Sequence, residues 1–152
     1  MPFISDQDRA TIARLFDENL VEPVSLVYFT TPPSLLYVPG LETCETCEDV
    51  QKLLEEIAGI SDKLTLEVHD LKSEREEAER FGVNRVPALI LRRDTSTGRV
   101  RYFGAPTGHE FPNLIRDIAA VSRGETGLSD ATREAIAAIP DPIHLQVFVT
   151  PT

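Results

Sequence analysis

Hydrophobic and polar positions along this chain alternate with two periods, and the changes of period mark out its elements. Near the amino end Ile12, Leu15, Phe16 and Leu20 recur at helical spacing behind Ser5 and Asp8, a weak capping box. This predicts an amphipathic helix over residues 6–19. Pro23 closes the connection. Val24 to Thr30, rich in β-branched and aromatic side chains, then predicts a buried strand. From Cys47 the apolar positions Val50, Leu53, Leu54 and Ile57 again trace one face of a helix. Leu64, Leu66 and Val68 alternate with Thr65, Glu67 and His69, the pattern of a strand with one dry and one wet face. Ser73 and Glu76 predict a capping box for a short helix that carries Ala78 and Phe81 and ends at Gly82. Val86 to Leu91 is almost wholly apolar, as an interior strand is, and Asp94 to Gly98 predicts a hairpin turn into Val100 and Tyr102. A further helix presents Phe111, Leu114, Ile115, Ile118 and Ala119 as its core face.

The predicted order is helix, strand, helix, strand, helix, strand, strand, helix. A strand–helix–strand step requires a parallel pair with a right-handed crossover, and the closing hairpin adds an antiparallel strand. An α/β domain of the thioredoxin fold, with a four-stranded mixed sheet flanked by helices, has this arrangement. Between the first strand and the second helix lies Thr31 to Glu42, with three prolines, Gly40, and the apolar run Leu35, Leu36, Tyr37 and Val38. It reads as a packed surface loop; the alternative is a loop that folds over the neighbouring site or meets a partner.

The chemistry centres on Cys44 and Cys47, the two cysteines of the 152-residue chain, spaced C-x-x-C where loop gives way to helix. Thr43 is the expected N-cap, which places Cys44 at the first helical position. There, free N–H groups and the helix dipole favour a thiolate. Cys47, one turn deeper, faces back toward Cys44, so the pair can cycle between dithiol and disulfide. One C-x-x-C supplies two of the four ligands usual for structural zinc, and neither a metal nor a cofactor is expected. Pro87 heads a buried strand, an unusual place for proline. An ordinary trans proline opening the strand is one explanation. A cis Val86–Pro87 bond, which turns the Val86 backbone toward the cysteines, is the other, and C-x-x-C forty residues upstream favours it. Pro87 thus joins the cysteines as a site residue, and the Val86 edge is the expected place for an extended substrate to pair.

Composition narrows the setting. A length of 152 residues, 41% hydrophobic and 26% charged, suits a folded domain, and no run approaches the ~18 apolar residues of a spanning helix. The net charge of −10 argues against nucleic acid as a partner. The N-terminus lacks a basic flank and an apolar stretch, so the expectation is a cytoplasmic protein, where a cycling disulfide is more at home than a structural one.

The carboxyl end repeats the beginning. At a constant offset of 119, Pro142 to Pro151 matches Pro23 to Pro32 at five of ten positions, and a short helix at residues 129–138 stands where the first helix stood. Residues 1–124 are therefore expected to form the unit with C-x-x-C. Residues 125–152 are expected to supply the helix and first strand of a second, incomplete unit, as if the chain were truncated. An apolar strand at residues 143–149 cannot stay bare without risking edge pairing, so it is expected to dock on the sheet or to exchange with a second copy in a homodimer.

With Cys44-Glu45-Thr46-Cys47, Asn84-Arg85-Val86-Pro87-Ala88, Tyr102 to Phe111 and the closing Val147 to Thr152 in view, the chain resembles the protein disulfide oxidoreductases. These glutaredoxin-like proteins fuse two thioredoxin-fold units, each with a C-x-x-C. It also resembles the N-terminal domain of alkyl hydroperoxide reductase flavoproteins, which has the same tandem design. The resemblance implies exchange on protein or small-molecule disulfides, with Cys44 as nucleophile, Cys47 resolving, and an external reductase as partner. It also implies that this N-terminal site is the accessory one. Two departures stand out: the loop from Pro32 to Cys44 is enlarged, and Glu45-Thr46 lies between the cysteines. Glutamates at 42, 45 and 48 should raise the Cys44 thiol and slow the site. A second reading, a thioredoxin-fold docking module with idle or latch-like cysteines, separates from the first by whether serine at position 44 abolishes turnover.

Overall fold

The computed structural model describes residues 2–32, 43–94 and 98–149. In chain order it has α1 (Asp6–Asn19), β1 (Val24–Thr30), α2 (Cys47–Ala58), β2 (Leu64–Asp70), α3 (Arg75–Phe81), β3 (Ala88–Arg92), β4 (Val100–Phe103), α4 (Phe111–Arg123) and α5 (Asp130–Ala137), with a short 3-10 turn, Gly108–Glu110, before α4. The four strands form one sheet in the order β2-β1-β3-β4. β1 runs parallel to β2 and antiparallel to β3, and β4 runs antiparallel to β3. This is the thioredoxin fold expected from the order of periods.

Period-2 alternation on the two central strands decides what each face buries. Leu26 and Tyr28 of β1, with Leu89 and Leu91 of β3, pack against α1, α2 and α4 through Phe16, Leu54, Ile57, Leu114 and Ile118. Val27 and Phe29, with Ala88 and Ile90, pack against Ala78 and Phe81 of α3. Both faces of β1 and β3 are therefore covered, which is why Leu26 to Phe29 and Ala88 to Leu91 are aliphatic or aromatic throughout. The edge strand β4 alternates half-buried with exposed positions.

The first capping box forms: the Ser5 hydroxyl accepts from the Asp8 N–H at 3.1 Å. The Ser73–Glu76 box does not. α3 begins one residue later, behind Glu74, without a side-chain cap. The Glu74 carboxylate reaches back to the end of β2 instead, accepting from the Asp70 N–H at 3.1 Å and lying 2.5 Å from His69 Nδ1. Bonds to a charged acceptor are the stronger kind, and these two hold Glu74 against the end of β2. Gly82 ends α3 as expected, at φ 68°, a left-handed conformation that favours glycine. The apolar run Leu35–Val38 and the tip of the hairpin turn, residues 95–97, lie outside the described residues.

Across the α3 face of the sheet, Arg92 Nη2 bonds both oxygens of Glu67, at 2.6 and 2.8 Å, with its guanidinium 5.6 Å from the Phe81 ring centre. Burial pushes the Glu67 carboxyl up, but hydrogen bonds from Ser25 and Arg92 and the Arg92 charge outweigh it, and the net shift is downward. A carboxylate with a depressed folded pKa stabilises the fold above its unfolded value, and that contribution is lost as pH falls through the folded value. Acid unfolding followed by circular dichroism should therefore show stability falling below about pH 4.5, and Glu67→Gln should flatten that limb.

The carboxyl-terminal segment does not dock on the sheet of its own chain. Residues 143–149 take no place in the sheet, and Leu145 and Phe148 are 85% and 89% exposed. β4 turns Arg101 and Phe103 to solvent.

Candidate active site

α2 starts at Cys47, three residues later than the Thr43 cap requires. Its first helical bond runs from the Val50 N–H to the Thr46 carbonyl at 3.0 Å, so Cys44 to Thr46 form a lead-in turn, and no side chain caps the helix. The Thr43 hydroxyl is one turn too far back to reach the free N–H groups. Cys44 and Cys47 are joined in a disulfide, with Cα atoms 5.4 Å apart. The two ends differ: Cys47 is 2% exposed, whereas Cys44 is half-buried in the turn ahead of the helix. The free amides and positive dipole end of α2 face this turn, so an opened Cys44 would still be favoured as a thiolate.

The sheet register brings the remaining site residues to the same end of the molecule. Thr30 pairs with Asp70, Phe29 with Ala88, and Ala88 with Phe103. The end of β1 that leads toward the cysteines therefore lies beside the start of β3 and the end of β4. Pro87, immediately before β3, is buried, and the Val86–Pro87 peptide bond is cis. The Pro87 carbonyl accepts from the Gly104 N–H at 2.9 Å, which ties this bend to the end of β4. Half-buried Val86 packs against the α3-side core. Just before it, the Arg85 guanidinium lies 4.5 Å from the Phe103 ring centre, an ordered cation beside the Val86 edge.

Two features of the site differ from sequence expectation. Of the glutamates around Cys44, Glu48 is engaged by Lys52 at 2.6 Å, and that hydrogen bond holds its carboxyl below the usual range. Glu45 is exposed, and Glu42 lies outside the described residues. The other feature is Tyr28. Its ring is fully buried beneath α2, and its hydroxyl donates to the Cys47 carbonyl at 2.8 Å. Burial pushes the phenol up to about 12, against a weaker opposing bond with Thr30, so it stays a neutral donor at physiological pH. A phenol in the middle of a buried strand was the available signal, because a buried hydroxyl needs a partner. Arg85 and Gly104 lie in segments that carry the resemblance, but nothing in the sequence assigned either a role. Among the described residues, no three His, Cys, Asp or Glu side chains gather as metal ligands do, and no helix is long and apolar enough to cross a membrane.

A sequence profile described as "Thioredoxin domain" matches residues 38–116, more than half of the chain. The chain belongs to the thioredoxin domain family. In sequence this thioredoxin domain is similar to an alkyl hydroperoxide reductase component of Staphylococcus epidermidis, 26% identical over 116 residues, covering 76% of this chain and 20% of that protein. Among solved structures it is similar to a protein disulfide oxidoreductase from Aeropyrum pernix, with a TM-score of 0.73 and 30% identity, covering 88% of this chain and 54% of that one. An alkylhydroperoxide reductase component of Enterococcus faecalis shares the fold, with a TM-score of 0.72 and 22% identity, covering 91% of this chain and 62% of that one. The chain thus spans about a fifth of the Staphylococcus epidermidis protein and just over half of the Aeropyrum pernix protein. It is a thioredoxin domain with a redox-capable cysteine pair.

Proposed function

We propose that this thioredoxin domain exchanges thiols for disulfides on protein or small-molecule substrates through Cys44 and Cys47. The observation that carries the reading is the asymmetry of the pair: one sulfur is half-exposed ahead of a helix N-terminus, and its partner is buried within the first turn. In the reducing direction an external dithiol first delivers two electrons and two protons to the pair. The Cys44 thiolate then attacks one sulfur of the substrate disulfide. A mixed disulfide forms, and the other substrate sulfur leaves as a thiolate that takes up a proton. Cys47, having released its proton to solvent, attacks Cys44 Sγ, which closes the ring disulfide and frees the second substrate thiol. Val86 and Pro87 offer an edge along which an extended substrate lies while the mixed disulfide exists, and Arg85 orients its polar groups. Glu45 opposes the Cys44 thiolate, which favours slow turnover at a reducing potential.

Residues 125–152 are read as the opening of a second, similar unit. Supporting this, α5 is capped as α1 is, with the Ser129 hydroxyl accepting from the Thr132 N–H at 3.2 Å. Its Ile136 is 53% exposed, as though awaiting a core.

The test is direct. Reduced with dithiothreitol and freed of reductant, the chain should convert a peptide disulfide to thiols in proportion to its own cysteine pairs. A folded chain that releases no peptide thiol would overturn the proposal and favour the docking module.

A further inference from the structure

Opening the Cys44–Cys47 disulfide leaves two sulfurs, and the chain holds one of them far more firmly. Cys44 belongs to the turn that precedes the helical hydrogen bonds of α2. Cys47 begins the helix, is 2% exposed, and offers its carbonyl to the Tyr28 hydroxyl at 2.8 Å. Tyr28 rises from a central strand and packs in the same core cluster as Val50, Leu53 and Leu54 of α2. One hydrogen bond thus links the middle of the sheet to the first residue of the helix that carries the chemistry.

A buried O–H costs desolvation unless it is paired, and here its partner is the peptide of the resolving cysteine.

We propose that Tyr28 is a positioning residue for thiol exchange: it anchors the Cys47 peptide to the sheet, so that reduction frees Cys44 to swing outward and leaves Cys47 beneath it, placed for the return attack. This rests on the dithiol reading above and adds which sulfur stays and what holds it. The redox step is that of the pair alone. The S–S bond breaks, a dithiol such as dithiothreitol supplies two electrons and two protons and leaves as its cyclic disulfide, and the Tyr28 hydroxyl exchanges no proton.

The experiment uses the whole chain and Tyr28→Phe, each reduced with dithiothreitol, pulsed with iodoacetamide and mapped by mass spectrometry. In the parent, Cys44 should be alkylated at least about tenfold faster than Cys47, following exposure and thiolate character. Tyr28→Phe should raise the Cys47 rate about three- to tenfold, the worth of one net hydrogen bond, and leave the Cys44 rate in place. The equilibrium constant of the pair against glutathione should shift as well, which a merely structural role would not produce. A folded Tyr28→Phe chain with an unchanged Cys47 rate and an unchanged constant overturns the inference while the dithiol reading stands; a parent that never cycles sinks both. Should Tyr28→Phe fail to fold, cysteine labelled with 13C at the carbonyl decides the matter in the parent. On reduction the Cys47 carbonyl resonance should hold while that of Cys44 moves; equal movement of the two overturns the inference.

Discussion

Cys44→Ser is expected to lower the rate of peptide-disulfide reduction on the order of 10³-fold or more, because it removes the attacking thiolate and nothing replaces it. The fold should survive, since Cys44 lies in a half-buried turn outside both core clusters. Cys47→Ser should behave differently. Cys44 can still attack, but no second thiol resolves the product, so the mixed disulfide with substrate accumulates and is seen as a mass increase that dithiothreitol reverses. Comparable residual turnover in Cys44→Ser and the parent would show that the pair is not the reacting group. Reversed roles, with Cys47→Ser inactive and Cys44→Ser trapping substrate, would contradict the burial asymmetry from which the order of attack is drawn.

The largest effect on stability is expected from Leu54→Ala. Leu54 is fully buried on α2, in the cluster that joins α2 to β1, α1 and α4. Truncating it leaves a cavity among packed neighbours and should cost about 3 kcal/mol. For a chain of this size that lowers the thermal midpoint by roughly 6–12 °C. Because α2 also carries Cys47, the loss should be accompanied by faster amide exchange along this helix. Ile136→Ala on α5, where the side chain is 53% exposed, should change stability by no more than about 0.5 kcal/mol. The contrast separates the packed unit from the segment that follows it.

Much of the fold was legible in the amino-acid pattern because its signals were local and agreed with one another. The aliphatic and aromatic centres of β1 and β3 followed from burial on both faces, and the helical stripes of α1, α2 and α4 matched the residues that pack. What misled was the residue at which each helix begins. Ser73 has the right spacing to cap α3, but the Glu74 carboxylate is drawn to Asp70 and His69 at the end of β2, a partner distant in kind rather than in sequence. Thr43 is a good capping residue, yet the Glu45–Thr46 turn delays the first helical bond to Val50. The apolar pattern at residues 143–149 carried the periodicity of a strand but no information about which sheet would receive it.

The candidate site was legible to a similar degree. C-x-x-C marked the chemistry outright, and Pro87 marked itself by standing where a strand interior disfavours proline. Tyr28 hid in plain view, because its apolar ring fits the strand pattern and its hydroxyl finds a partner only when α2 is laid over β1. Arg85 depends on Phe103, eighteen residues away and brought near only by the pairing of β3 with β4.

The most direct test of dithiol cycling is to equilibrate the whole chain in glutathione buffers graded from reduced to oxidised, quench with acid, and count free thiols at Cys44 and Cys47. A cycling pair predicts a single transition in which both thiols disappear together with a two-electron slope. If the two cysteines alkylate independently at every buffer ratio and never pair, thiol–disulfide exchange is not what this thioredoxin domain does.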